Sequence, residues 1–202
     1  MELPVLQPSG RPERADAARN RELILSAARR LFERHGPEGV SMDAVAAEAG
    51  VGKGTLYRRF GDRGGLALAL LEAQETEFQE HLIRGRPPLG PDAPAGERLH
   101  AFGEAMLGML ERAGPVMLDA QRRTPGARYM AGPYAVYRTH VTLLLREALG
   151  PDAPHEYLAD AVLATLTPEL FLHHRRAREL SLEDLAAGWH AMVEGLLRCD
   201  AG

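Results

Sequence analysis

The sequence predicts an all-α protein. Apolar residues recur at three- and four-residue spacing through most of the chain, and no stretch alternates apolar with polar residues as a half-buried strand would. The breaks between periodic segments fall on glycine and proline, the residues that end helices. Together these give about nine helices: a small N-terminal group of three, then a larger helical body.

With 202 residues, 45% apolar and 26% charged, the chain can hold one medium domain or two small ones. No apolar run approaches membrane-spanning length. The opening MELPVLQPSGRPER lacks the basic-then-apolar layout of an export signal. A single cysteine, Cys199, forbids an internal disulfide and fits a reducing cytoplasm, where it serves packing or is incidental. The net charge of −4 is unevenly spread: residues 1–63 hold eleven Lys or Arg against nine Asp or Glu, and residues 64–202 hold thirteen against nineteen. The N-terminal end is therefore the one suited to phosphate, since local charge governs such binding.

Residues 1–17, with Pro4, Pro8, Gly10 and Pro12 and no apolar period, read as a mobile arm. Its Arg11 and Arg14 either reach a nucleic-acid groove or are simply solvated. From Ala17 to His35, Leu23, Ile24, Ala27, Ala28, Leu31 and Phe32 mark one helix face, and Gly36-Pro37 ends it. A short helix follows at Met42–Ala49, with Ser41 placed to accept a bond from an orphan amide of its first turn. Gly50 ends it, because glycine enters the left-handed region at least cost. The next helix runs from about Gly52 to Phe60. Val51, Leu56 and Phe60 can point back onto its predecessor, leaving Lys53, Thr55, Tyr57, Arg58 and Arg59 outward, a division that fits a helix-turn-helix.

Across Arg21–Leu71 the chain resembles the TetR family of bacterial transcriptional repressors. The resemblance rests on Ile24-Leu25-x-Ala27-Ala28-x-x-Leu31-Phe32, Gly36 to Gly39, Val45-Ala46-x-x-Ala49-Gly50-Val51, Gly54-Thr55-Leu56-Tyr57-x-x-Phe60 and Arg63. It implies a helix-turn-helix DNA-binding domain over residues 18–64 and a helical effector-binding and dimerisation domain over 65–202. Two departures stand out. Gly64 and Gly65 occupy positions where the family has helix formers, which predicts a loose first turn at about 0.5–1 kcal/mol per glycine. Arg58 and Arg59 stand where the family often has aromatic residues or histidine, so the operator sequence does not follow.

Of the DNA-facing residues, Lys53, Arg58, Arg59 and Arg63 can neutralise phosphates, and a Lys or Arg aimed into the groove can pair with guanine O6 and N7. Lys53, in the first turn of the recognition helix, is the first choice for base contact. Gly54 permits close backbone approach, and Thr55 can touch a phosphate or a thymine methyl. Ser41 can cap its helix and also offer a hydrogen bond to the DNA backbone. Tyr57 resembles the family tyrosine that reaches a phosphate; a half-buried ring packed on the helix that carries Arg21 is the alternative.

Beyond Asp62, an N-cap candidate, a helix runs to about His81 with Leu66, Leu70 and Ala73 on one face. Arg84 to Gly96 reads as a loop. Further helices are expected over Glu97–Ala113, Pro115–Arg123, Ala127–Leu149, Glu156–Glu179 and Leu182–Cys199, with breaks at Gly114-Pro115, Thr124-Pro125-Gly126 and Gly150 to Pro154. Gly132-Pro133 and Pro168 should kink or interrupt their helices. The pentapeptide GPDAP at Gly90 and again at Gly150 is a coincidence of two helix breakers.

Ser181 with Asp184 forms a capping-box pattern. The resemblance implies a homodimer formed through the last two long helices, with Leu158, Val162, Leu170, Leu185, Trp189, Met192, Val193 and Leu196 as the candidate interface; burial within one chain would give the same stripe. It also implies an effector site in the helical body. Met106, Met109, Leu110, Met117, Tyr134, Tyr137, His140, Leu144 and Leu166 either line a pocket or fill the core, and methionine suits an adaptable site.

Enzyme motifs are missing: the chain has no Gly-rich phosphate loop, GxSxG, HExxH or cysteine cluster. Neither cofactor nor metal is expected. His140, His173 or His190 could meet Glu169 or Asp160 in space, but ordinary histidines are the simpler reading. The function expected is a cytoplasmic, homodimeric regulator that binds a palindromic operator in double-stranded DNA and is released by a small molecule. The alternative is a helical interaction module without an operator of its own.

Overall fold

The computed structural model describes residues 11–35, 39–123 and 132–198, apart from the side chains of 11–15, 33 and 119–123. Among them every regular element is an α-helix: α1 (Arg11–His35), α2 (Met42–Ala49), α3 (Lys53–Phe60), α4 (Arg63–Arg84), α5 (Ala95–Arg123), α6 (Gly132–Leu149), α7 (His155–Ala164), α8 (Pro168–Arg176) and α9 (Leu182–Arg198). The expectations for residues 1–10, the side chains of Arg11 and Arg14, Gly36-Pro37, Thr124-Pro125-Gly126 and Cys199 lie outside the described residues. Two compact units divide the chain at Glu72–Ala73, within α4.

In the first unit α1 packs on α2, and α2 on α3. α1 begins at Arg11, ahead of the expected Ala17 and inside the stretch read as an arm. That stretch lacks an apolar stripe yet is rich in Arg, Glu and Ala, which favour helix without burial, and Pro12 sits in the first turn, where its missing N–H costs nothing. Ile24, Ala27 and Ala28 are fully buried and Leu25 and Leu31 nearly so, whereas Leu23, expected on the inner face, is 48% exposed. The buried stripe is centred one residue further on, and Leu23 falls at its edge. Val45 and Leu56 complete a core with Met42, Ala46, Leu66 and Leu70. Burying each of these side chains larger than alanine contributes about 1.5–3 kcal/mol. Around the rim, the Glu48 carboxylate accepts from Arg30 Nε at 3.1 Å and Arg34 Nη2 at 3.2 Å, tying α2 to α1. The Arg30 hydrogen bond, with help from Arg34, holds this carboxyl below its usual range.

α4 starts as expected on Asp62, whose Oδ1 accepts from the Gly65 amide at 2.8 Å. Gly65 has a steric reason to be glycine. A Cβ there would lie 2.0 Å from the Phe60 carbonyl oxygen.

In the second unit α5 packs against α6, α8 and α9, and α6 against α7. α5 runs unbroken through Gly114-Pro115, where a break was expected. Gly114 is buried, close to Phe171 and Leu172 of α8, while Pro115 is exposed, so the lost ladder bond faces solvent and packing holds the helix on either side. Pro133 falls in the first turn of α6, where proline is tolerated. The expected 156–179 helix is interrupted ahead of Pro168: α7 ends at Ala164, and the Thr167 hydroxyl caps α8 by accepting from the Leu170 amide at 3.3 Å. The capping box of α9 forms, with Asp184 accepting from the Ser181 amide at 2.8 Å and the Asp184 amide donating to Ser181 Oγ at 3.0 Å.

α5 and α9 meet at their closest on Gly103. A Cβ there would lie 1.9 Å from the Trp189 ring, whose Nε1 donates to the Leu99 carbonyl at 3.2 Å. Further along, the Arg175 guanidinium grips both oxygens of Glu111, at 3.0 and 2.8 Å, joining α8 to α5. Among the described residues, no helix is long and apolar enough to cross a membrane.

Candidate nucleic-acid interface

The helix-turn-helix is built by two local devices. Ser41 Oγ accepts from the Ala44 amide at 3.1 Å and so starts α2, while Gly50 (φ 66°) ends it, its amide donating to Ala47 O at 3.2 Å and that of Val51 to Ala46 O at 3.0 Å. α3 can then begin at Lys53, with fully buried Leu56 anchoring its inner face and Val51 and Phe60 half-buried beside it.

The outer face carries most of the expected residues. Lys53, Gly54, Tyr57, Arg58 and Arg59 are exposed, Thr55 is intermediate, and Arg63 is exposed at the start of α4. A Cβ on Gly54 would meet open space, so packing within the protein does not demand glycine there. Tyr57 presents 48% of its surface. Two residues have partners that the sequence did not suggest. Arg59 Nη1 donates to the Ala17 carbonyl of α1 at 2.6 Å, making this arginine a strut as well as a surface cation. Lys53 Nζ is paired with Asp43 Oδ2 at 2.5 Å, bridging the first turns of α3 and α2. Asp43 lies ten residues away across the turn, so only the folded α2–α3 geometry reveals it.

The residues proposed for an effector site come together in the second unit. Met106, Met109, Leu110, Tyr137, Leu144 and Leu166 are buried in one apolar cluster, with Met117 and Tyr134 packed against it. Phe102 lies between Tyr137 and His140, with ring centroids at 6.0 and 5.7 Å, and Phe78 is 5.5 Å from Tyr137. Burial and the Arg98 charge push the His140 imidazolium down to about 4, so the ring is neutral at physiological pH. Its Nε2 is buried without a hydrogen-bond partner among the described residues. The Tyr137 hydroxyl, raised by burial and then by Glu75, also lacks a hydrogen bond of ordinary geometry, although Gln79 lies near enough to oppose that rise. Tyr134 is committed elsewhere, its hydroxyl donating to Asp160 at 2.7 Å.

The interface stripe separates into two sets. Val162, Trp189 and Val193 are at most 5% exposed and fill the chain's own core, so they cannot form a contact face with another molecule. Leu158, Leu170, Leu185, Met192 and Leu196 remain half-buried. The helical period marked both sets alike because it reports an apolar face and not what covers it.

The described contacts of His140 and His190 are with other partners than Glu169 or Asp160. His190 shares a 2.6 Å hydrogen bond with Glu104 and stacks on His100 with centroids 4.5 Å apart, while His140 lies against Phe102. Among the described residues no three His, Cys, Asp or Glu groups are set to hold a metal ion.

Comparison with known proteins agrees with this geometry. Residues 24–70 match the family described as bacterial regulatory proteins, tetR family. An HTH-type transcriptional regulator of Staphylococcus aureus (strain USA300) is 40% identical over 68 residues, covering 34% of this chain and 37% of the relative. This chain thus spans little more than a third of that relative's length. A candidate transcriptional regulator from Saccharomonospora viridis, solved with choline, superposes with a TM-score of 0.64 at 20% identity over 88% of this chain and 96% of the other. A candidate TetR-family regulator from Rhodococcus sp. gives 0.60 at 21% over 89% and 99%. At these identities the structural likeness shows the fold. Residues 24–70 therefore match the N-terminal domain of the tetR family of bacterial regulatory proteins, and the likeness beyond them is one of fold.

Proposed function

We propose that the protein is a DNA-binding transcriptional repressor that acts as a homodimer on a palindromic operator and is released by a small molecule. The observation that carries this reading is α3: an eight-residue helix anchored by fully buried Leu56, with Lys53, Tyr57 and Arg58 exposed on its outer side. Such a helix fits the major groove, with Lys53 at a base edge and Ser41, Thr55, Tyr57, Arg58, Arg59 and Arg63 on phosphates. Residues 18–64 would then form the DNA-binding domain and 65–202 the effector-binding and dimerisation domain.

Dimerisation through α7, α8 and α9 is supported by exposed Tyr157, half-buried Leu158, Leu170, Leu185, Met192 and Leu196, and the small exposed residues Ala187, Gly188, Ala191 and Gly195. Two recognition helices about 34–36 Å apart would read two half-sites together. An effector site is supported by His140 Nε2, buried without a hydrogen-bond partner among the described residues, in the same apolar region as Met106, Met109 and Tyr137, since a bound polar group would satisfy it. Other proteins of this fold have been solved with choline and, in a SmeT complex, with triclosan. Release follows if the ligand prefers a dimer whose recognition helices no longer match the operator.

The test is selection of genomic fragments by the purified protein, followed by a gel shift with the retained fragment across a salt series. A palindrome retained with log affinity falling linearly in log salt is the expected result. Retention of no fragment above random DNA would remove the operator.

A further inference from the structure

Lys53 is the chain's single lysine, against twenty-three arginines. It sits in the first turn of α3, and its ammonium is held by Asp43 of α2. Both partners are open to water, the side chain of Lys53 being 65% exposed and that of Asp43 53%. An ion pair so exposed adds little to stability, and the packing of α2 on α3 has its own core in Met42, Val45 and Leu56. The consequence of the pair therefore lies in binding.

We infer that Asp43 is a specificity-determining residue, a carboxylate that holds Lys53 for base readout and discourages binding to phosphate alone. The inference rests on the proposed DNA-binding role of α3. Against a random duplex, the most available partner for Lys53 is a phosphate, but the Asp43 carboxylate already holds the ammonium and cancels much of that attraction. Less counterion is released, and non-specific affinity drops. At a suitable base pair the pair survives. An ammonium has three donors, so Lys53 can keep one on Asp43 and give the others to guanine O6 and N7. The second Asp43 oxygen can accept from a cytosine amino group. Asp43 thus favours G·C at the position Lys53 reads and penalises everything else. An arginine at position 53 would present a rigid fork suited to phosphate, whereas the lysine is a point charge that can be shared between a carboxylate and a base.

The experiment uses the full chain, with fluorescence anisotropy on a random-sequence 30-bp duplex and on the genomic fragment the protein retains. Asp43→Asn should bind the random duplex about tenfold more tightly, with a log–log salt slope steeper by about one, while affinity for the retained fragment changes less, so that the specificity ratio falls. In a Lys53→Ala background the same substitution should change random-duplex affinity by less than about twofold, because the carboxylate acts through the lysine. Unchanged random-duplex binding by Asp43→Asn overturns the inference. So does an equal gain in the Lys53→Ala background, which would mean that Asp43 repels DNA on its own account. A wild-type protein that binds neither duplex overturns the regulator reading and this inference with it.

Discussion

Up to Glu72, the described polar side chains point outward and many are tied to a neighbour: Glu48 to Arg30 and Arg34, Arg59 to the Ala17 carbonyl, Lys53 to Asp43. Beyond it lie buried polar atoms with no hydrogen-bond partner of ordinary geometry among the described residues, namely Arg98 Nε, His100 Nδ1, Tyr137 Oη, His140 Nε2 and Thr142 Oγ1. Among the described residues, the first unit offers its polar chemistry at the surface. The second also places polar atoms inside.

The largest expected effect probes how tightly the second unit is packed. Gly103→Ala places a methyl group against the Trp189 ring and should lower unfolding stability by about 3 kcal/mol or more, measured by urea titration. A loss under about 1 kcal/mol would mean that α5 and α9 can separate at little cost. The next effect belongs to the first unit. Lys53→Ala should reduce discrimination between the retained fragment and random DNA by about 1–3 kcal/mol, and Arg63→Ala should leave discrimination nearer wild type, both read by anisotropy. Equal loss on both duplexes in both variants would remove Lys53 from base readout.

Protonation sharpens the same contrast. His140 has a folded value depressed to about 4, below an unfolded value near 6.5, so the unfolded chain takes up the proton first as pH falls. Stability is fully present above pH 6.5 and declines by up to about 1.4 kcal/mol per unit toward pH 4. His140→Phe should flatten that part of the profile of melting temperature against pH. An unaltered slope would assign the proton uptake to another group. The smallest effect is Asp62→Ala, which removes the cap of α4 and should cost about 1 kcal/mol.

The same division governs how much the sequence disclosed. Ser41, Gly50 and Leu56 act within a few residues of themselves, so the start, the turn and the anchor of the helix-turn-helix were legible from local chemistry. DNA also has a fixed groove, which limits the residue types that can face it. Elsewhere the outcome depended on distant partners. Pro115 does not break α5 because α8 covers Gly114 on the other side, and no local rule contains α8. Trp189 and Val193 share a helical period with Met192 and Leu196, yet the first two are in the core and the others lie at its edge. Asp43 and Arg59 were visible as charges, but their partners depended on how the helices pack.

The chain's single tryptophan is the ring seated on Gly103, so its emission comes from one known spot, the α5–α9 contact. Any event that slides α9 along α5, whether a ligand entering the body or a second copy docking, would alter the solvent around that indole and the bond to Leu99. The native protein therefore carries its own optical sensor of that motion, with no label to attach and no background from a second site.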